Sequence, residues 1–190
     1  LDRLEREHAL VRFVGELEAP DRTLTLHYRF AHHMYQNAFF DSLRATRKAA
    51  LGRAVAERLA ARYGEQTERL ADIAVLFEVA RDGVRAAEYW NRAAQAAGRL
   101  YAHDESARLA QRGLSLLANE PNSPARATAE LGLQMTYALA IKTSKGYAVP
   151  EVGRAYARAR ELSRQVEDPS RVIPVLIGMS AHHMVSGELR

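Results

Sequence analysis

Gly83–Leu117, GVRAAEYWNRAAQAAGRLYAHDESARLAQRGLSLL, decides the fold. It holds the one tryptophan of the chain, Trp90, among small residues at helical spacing: Ala86, Ala87, Ala93, Ala94 and Ala97. Small side chains that face each other let two helices approach closely, and one large ring fills the space between them. Helical repeats are built in this way, so the stretch speaks for architecture before chemistry.

Helical periodicity continues on both sides. Upstream, Leu70, Ile73, Ala74 and Phe77 form the inward stripe of a helix over 68–81, ended at Asp82-Gly83. Before it, Leu51, Val55, Leu59 and Tyr63 recur at i, i+4, and Gly64 stands where a left-handed helix end is expected. Downstream, Asp104 is placed to cap the helix that runs to Leu117. Asn119, Pro121, Asn122 and Pro124 break the chain, and a helix over 125–141 follows with Leu131, Met135 and Leu139 inward. Lys142–Pro150, KTSKGYAVP, reads as a loop, with Pro150 opening the next helix. That helix buries Val152, Tyr156, Ala159 and Leu162 and ends at Asp168-Pro169; a last one covers 171–185.

Only 8–30 departs from this period. Val11, Phe13 and Gly15 alternate with polar residues, as do Leu24, Leu26, Tyr28 and Phe30, and Glu18–Arg22 (EAPDR) is a turn between them. A helix, a β-hairpin and another helix suggest the wing of a winged-helix domain. The expected fold is mainly α: a partial winged helix and linking helix over 1–64, then a tetratricopeptide-like α-solenoid over 65–190.

The tetratricopeptide pattern needs W-x2-L-G-x2-Y and A-x3-F within about 34 residues. Trp90-x2-Ala93-Ala94-x2-Ala97 supplies a reduced first half and Ser106-x3-Ala110 the second. The frame restarts about 34 residues on, near Pro121–Pro124. A second frame pairs Leu70-x2-Ile73-Ala74-x2-Phe77 with Ala86-x3-Trp90. Both share Trp90, and both mean antiparallel helices, each packed on its neighbours in sequence. In the first frame Asn91, Gln95 and Arg99 fall on one face of a helix that lines the concave side. They are the candidate partner-binding residues, set against the simpler reading of an exposed polar stripe.

Composition narrows the classes further. The 190 residues are 47% hydrophobic and 26% charged, with no cysteine, so disulfides and thiolate metal sites are excluded. No apolar run approaches the roughly 18 residues of a membrane span, and a cytoplasmic location is expected. The net charge of +4 comes from 27 basic and 23 acidic residues interleaved along helices, a mixed solvated surface. Arg44, Arg47, Lys48, Arg53, Arg58 and Arg62 make one helix basic, which keeps nucleic-acid binding by helix 44–62 and the wing as the alternative function. His32-His33 and His182-His183 are adjacent pairs, which point roughly 100° apart on a helix and chelate poorly, so no metal site is expected. No GxxxxGK[ST] and no catalytic constellation is present, so no catalytic residue is assigned.

Two stretches carry a family resemblance. Tyr28–Tyr35, YRFAHHMY, resembles the YRFxHxLY stretch of bacterial signalling ATPases of the STAND type. Lys145–Val152, KGYAVPEV, with Ala155–Leu162, AYARAREL, resembles the KGYAxPEV…AYxRAREL stretch of the same family, as does Gly187-Glu188-Leu189. In that family a P-loop ATPase module and a winged helix precede tetratricopeptide-like repeats. Several members also carry a nucleotide cyclase or a DNA-binding regulator domain. The resemblance implies that this chain is a piece of a longer ATP-dependent protein, truncated at its C-terminal end. ATP or ADP would be held upstream of Leu1, with that ATPase module as a partner in cis. It also implies that His32, at a helix start, senses the nucleotide phosphates; a histidine packed beneath the wing is the simpler reading. The expected role is regulatory and non-catalytic: a protein or small-molecule inducer binds the repeats, and no membrane is involved.

Overall fold

The computed structural model describes residues 2–6, 8–18, 22–166 and 169–187. Helix α1 (Asp2–Arg6) leads into strands β1 (Val11–Glu18) and β2 (Leu24–Phe30), an antiparallel pair. Helices α2 (His33–Ser42), α3 (Ala45–Tyr63), α4 (Leu70–Val79), α5 (Gly83–Arg99) and α6 (His103–Leu117) follow, with a single 3-10 turn at Thr67–Arg69. The chain continues through α7 (Pro124–Lys145), α8 (Pro150–Ser163) and α9 (Pro169–Ser186). The fold is mainly helical with one two-stranded hairpin. The centre of the Glu18–Arg22 turn, Asp168 and Glu188-Leu189 lie outside the described residues. No helix among the described residues is long and apolar enough to cross a membrane.

From α3 to α9 consecutive helices pack on one another, and α5 also touches α7. Neighbours run antiparallel. Along α5 and α6, Gly83 meets Glu120, Trp90 meets Gly113 and Gly98 meets Ser106, so the pairing runs backwards. By contrast α5 and α7 run parallel: Gln95 reaches Thr136 and Asn91 lies against Gly132, both 41 residues apart. The expected spacing was about 34 residues. A helix does start at Pro124, but a 17-residue α5, a 15-residue α6 and their connectors lengthen the unit.

Helix α5 serves both frames because it has two inner faces. Ala86, Trp90 and Ala93 pack with Ala56 of α3 and Leu70, Ile73, Ala74 and Phe77 of α4. Ala87 and Ala94 pack with Ala110 and Leu117 of α6 and Ala129 and Leu133 of α7. Trp90 is 3% exposed. Its indole N–H donates to Glu78 Oε1 (2.5 Å), and Arg112 lies over the ring at 4.3 Å while bonding the same carboxylate (2.9 and 3.1 Å). One ring and one ion pair thus fasten α4, α5 and α6. Gly113 suits this approach, since a Cβ there would stand 2.8 Å from a Leu133 methyl and 3.3 Å from Trp90, and the leucine would have to shift.

Several local expectations need correction. Leu51 and Val55 point outward (40% and 44% exposed), and the buried residues of α3 are Gly52 and Ala56. Leu139 is likewise exposed, with Ala138 and Ile141 inward. In α3, close approach to α4 at Gly52 selects the small side chains and leaves the large ones outside. Ala97 is only half-buried. Gly64 keeps right-handed geometry (φ −61°), its N–H donating to Ala60 O and its carbonyl accepting from Arg92. The left-handed helix ends are Arg81 (φ 56°) and Tyr101 (φ 61°). There, Asp82 N–H returns to Phe77 O and Ala102 N–H to Ala97 O, both at 3.0 Å, closing Schellman-type turns. Asp104 sits inside the first turn of α6, where its charge suits the helix dipole, and Ala102 holds the cap position. Asp82 and Ser123 are true side-chain caps, accepting from Arg85 N–H and Arg126 N–H. Helix α7 runs on to Lys145, so the loop shrinks to Gly146–Val149.

The hairpin is different. A bulge at Val14 breaks the register between Phe13 and Gly15. Leu24 and Leu26 stay 66% and 57% exposed, and no residue of α2 is buried. Among the described residues the hairpin and α2 touch each other but make no substantial contact with α4–α9.

Candidate functional site

A groove of about 760 Å³ opens on the side where α5, α7 and α9 face one another. Its walls are largely apolar: Met135, Leu139 and Ala140 from α7, and Pro174, Ile177 and Ala181 from α9. Gln95 and Arg99 of α5 stand at one edge. The volume falls within the ordinary range for small-molecule sites, about 300–1,000 Å³.

The sequence builds this groove by contrast of size. On α8, Tyr156 is 3% exposed and lies over Gly178 of α9, where a Cβ would meet its ring at 2.2 Å. Gly153 makes the matching space for the His182 ring. His182, 7% exposed, donates from Nδ1 to the Tyr147 carbonyl (2.6 Å), so the short Gly146–Val149 loop is clasped to α9. Lys142 lies 5.2 Å from the centre of the Tyr147 ring. The KGYAVPEV stretch therefore forms one end of the groove, with Tyr147 in its lining.

Away from the groove, α7 and α8 are held by Glu130, 8% exposed, which accepts from Arg158 Nε (2.6 Å) and Nη2 (3.2 Å). Hydrogen bonding to Glu130 and then Glu161 raises the Arg158 pKa above the usual guanidinium value. On the other side, Arg85 bonds Glu57 (2.9 Å) and Asp82 (3.0 Å), and its pKa is raised for the same reason. Arg85 and Arg92 carry contacts from α5 back to α3 and the turn after it.

The structure separates the sequence-derived candidates. Asn91 is spent internally: its Oδ1 accepts from Thr136 Oγ1 at 2.7 Å. Gln95 Nε2 donates to the same hydroxyl at 3.4 Å while its side chain lines the groove. Arg99 is exposed at the edge and makes no ion pair among the described residues. His32 lies elsewhere, exposed at the residue before α2, with no cap bond and its ring 5.8 Å edge-on to Tyr35. It is not brought near α5. Of the basic helix, Arg53 pairs with Asp82 (3.6 Å) and Lys48 with Asp41 (3.5 Å), which reduces the cationic face of α3. Among the described residues no group of three or more His, Asp or Glu is placed to hold a metal.

Tyr156 is buried as its spacing says, but its place in one groove with Tyr147 and the α9 wall does not follow from periodicity. No family model matches the chain, and neither does any curated protein or solved structure.

Proposed function

We propose that this chain is a non-catalytic regulatory segment of a larger ATP-dependent signalling protein. It combines the winged-helix end with a tetratricopeptide-like array that binds a ligand or protein. The observation that carries the reading is the apolar groove between the parallel helices α5 and α7 and helix α9. A concave face of this kind binds without needing a reactive constellation. The STAND-type resemblance supplies the ATPase, the nucleotide and the role of His32 as a phosphate sensor.

Coupling follows from the packing. An occupant that favours one spacing of α5 and α7 shifts a population of array conformations. Helix α5 reports the shift to α3 through Arg85 and Glu57, and α3 leads back towards the hairpin. Calorimetric titration of the chain with ATP, ADP and a DNA duplex tests the reading. The expected result is no nucleotide binding and no DNA binding at low salt. Tight ATP binding overturns the non-catalytic reading; salt-dependent DNA binding favours the basic helix 44–62 as the working surface.

A further inference from the structure

We infer that the groove takes an amphipathic organic anion: a hydrocarbon body bearing one carboxylate or similar head. The inference rests on the groove's being the binding face, and adds what occupies it.

Three observations point this way. The first is charge. Arg99, Lys142 and His103 line the groove, and its lining contains no aspartate or glutamate. Elsewhere the chain mixes both signs, so a one-sign lining is a local departure. Arg99 has no ion-pair partner among the described residues and is free to accept one. A carboxylate gains charge-assisted hydrogen bonds there.

The second is the hydroxyl of Tyr156. The residue is 3% exposed and belongs to the groove lining. Its hydroxyl has no hydrogen-bond partner among the described residues, nor is it sealed from the cavity. The phenol is open to the groove and therefore to water, so a ligand's polar atom can take the place of water there.

The third is the nature of the walls. Met135, Leu139, Pro174 and Ile177 offer almost no backbone-pairing groups. An extended peptide laid across them would find its pairing groups only at Gln95, Arg99, Ser106 and Thr136 of the same lining. A hydrocarbon chain pairs nothing and gains by burial. Leu139 and Ile177, 53% and 65% exposed, are the surfaces it would cover.

The test is calorimetric titration of the chain with dodecanoate, dodecanol and dodecylamine, each kept below its micelle concentration, and with an acidic peptide. Dodecanoate is expected to bind at least about tenfold more tightly than dodecanol, the worth of one charge-assisted contact. Arg99→Glu should erase that preference, and Tyr156→Phe should weaken dodecanoate several-fold without lowering the unfolding temperature. Ile177→Glu, at an exposed position, should abolish binding and so exclude the open hairpin as the site. Equal binding of dodecanoate and dodecanol, or preference for dodecylamine, overturns the anionic specificity while the groove remains a binding face. Binding of the acidic peptide alone likewise rejects the amphipath and keeps the regulatory reading. Dodecanoate binding that survives Ile177→Glu places the ligand outside the groove and refutes the inference.

Discussion

The helical array from α3 to α9 and the hairpin half from β1 to α2 use similar apolar residues but treat them differently. In the array, Ile73, Phe77, Leu131, Leu133 and Val152 are at most 1% exposed. Among the described residues of the hairpin half, Val11 is the buried apolar side chain, while Phe13, Leu26, Met34, Phe39 and Phe40 are 44–69% exposed. Burial of a large apolar side chain is worth about 1.5–3 kcal/mol. The buried apolar core therefore lies in the array, while the hairpin half leaves most of its large apolar side chains exposed.

The strongest way to break this comparison is Trp90→Ala. With the ring buried at the junction of α4, α5 and α6, chemical denaturation should show a loss of about 3–5 kcal/mol. A change within about 0.5 kcal/mol would mean that the ring does not hold the array together. Gly113→Ala comes next. Its Cβ would crowd Leu133 and Trp90, and a loss of about 1–3 kcal/mol is expected by the same measurement. Leu26→Ser probes the other half. Thermal unfolding of the array should move by less than about 0.5 kcal/mol, since the side chain is 57% exposed. A loss comparable to that of Trp90→Ala would join the hairpin to the array core.

The smallest effect concerns Glu88 on α5. The residue is exposed, yet desolvation by its neighbours first, and the Asp82 charge second, raise its carboxyl pKa, with Arg85 opposing. The folded state then holds the proton more tightly than the unfolded chain does. Glu88 accordingly favours folding at acid pH and opposes it as pH rises through the carboxylate range. Glu88→Gln should flatten that part of the stability–pH curve. The gain at neutral pH should not exceed a few tenths of a kcal/mol, because solvent screens the group. A variant less stable at neutral pH than the parent would show that the carboxylate has a favourable partner.

Legibility in the sequence divides along the same line. The stripes Leu70-Ile73-Ala74-Phe77 and Val152-Tyr156-Ala159-Leu162 are buried as their spacing says, because each helix hides one face. Reading failed where the hidden face is made of small residues. In α3, Gly52 and Ala56 go inward and Leu51 and Val55 do not. In α7 Leu131, Leu133 and Ile141 go inward, yet Leu139, on the same i, i+4 row as Leu131, faces the groove. The site was half legible for a related reason. Gln95 and Arg99 follow from helical spacing within α5, but the partner of Asn91 is Thr136, 45 residues away, and periodicity does not report such a distance. The α9 wall depends on Tyr156 seating over Gly178, a contact visible only once both helices are placed.

The central claim is that binding belongs to the groove and not to the open hairpin. Hydrogen exchange along the whole chain, with and without saturating dodecanoate, tests it most directly. Added protection is expected in the groove segments 95–99, 135–142 and 174–181, with 11–42 unchanged. Protection gained across 11–42 alone, with the groove helices unaffected, would contradict the account.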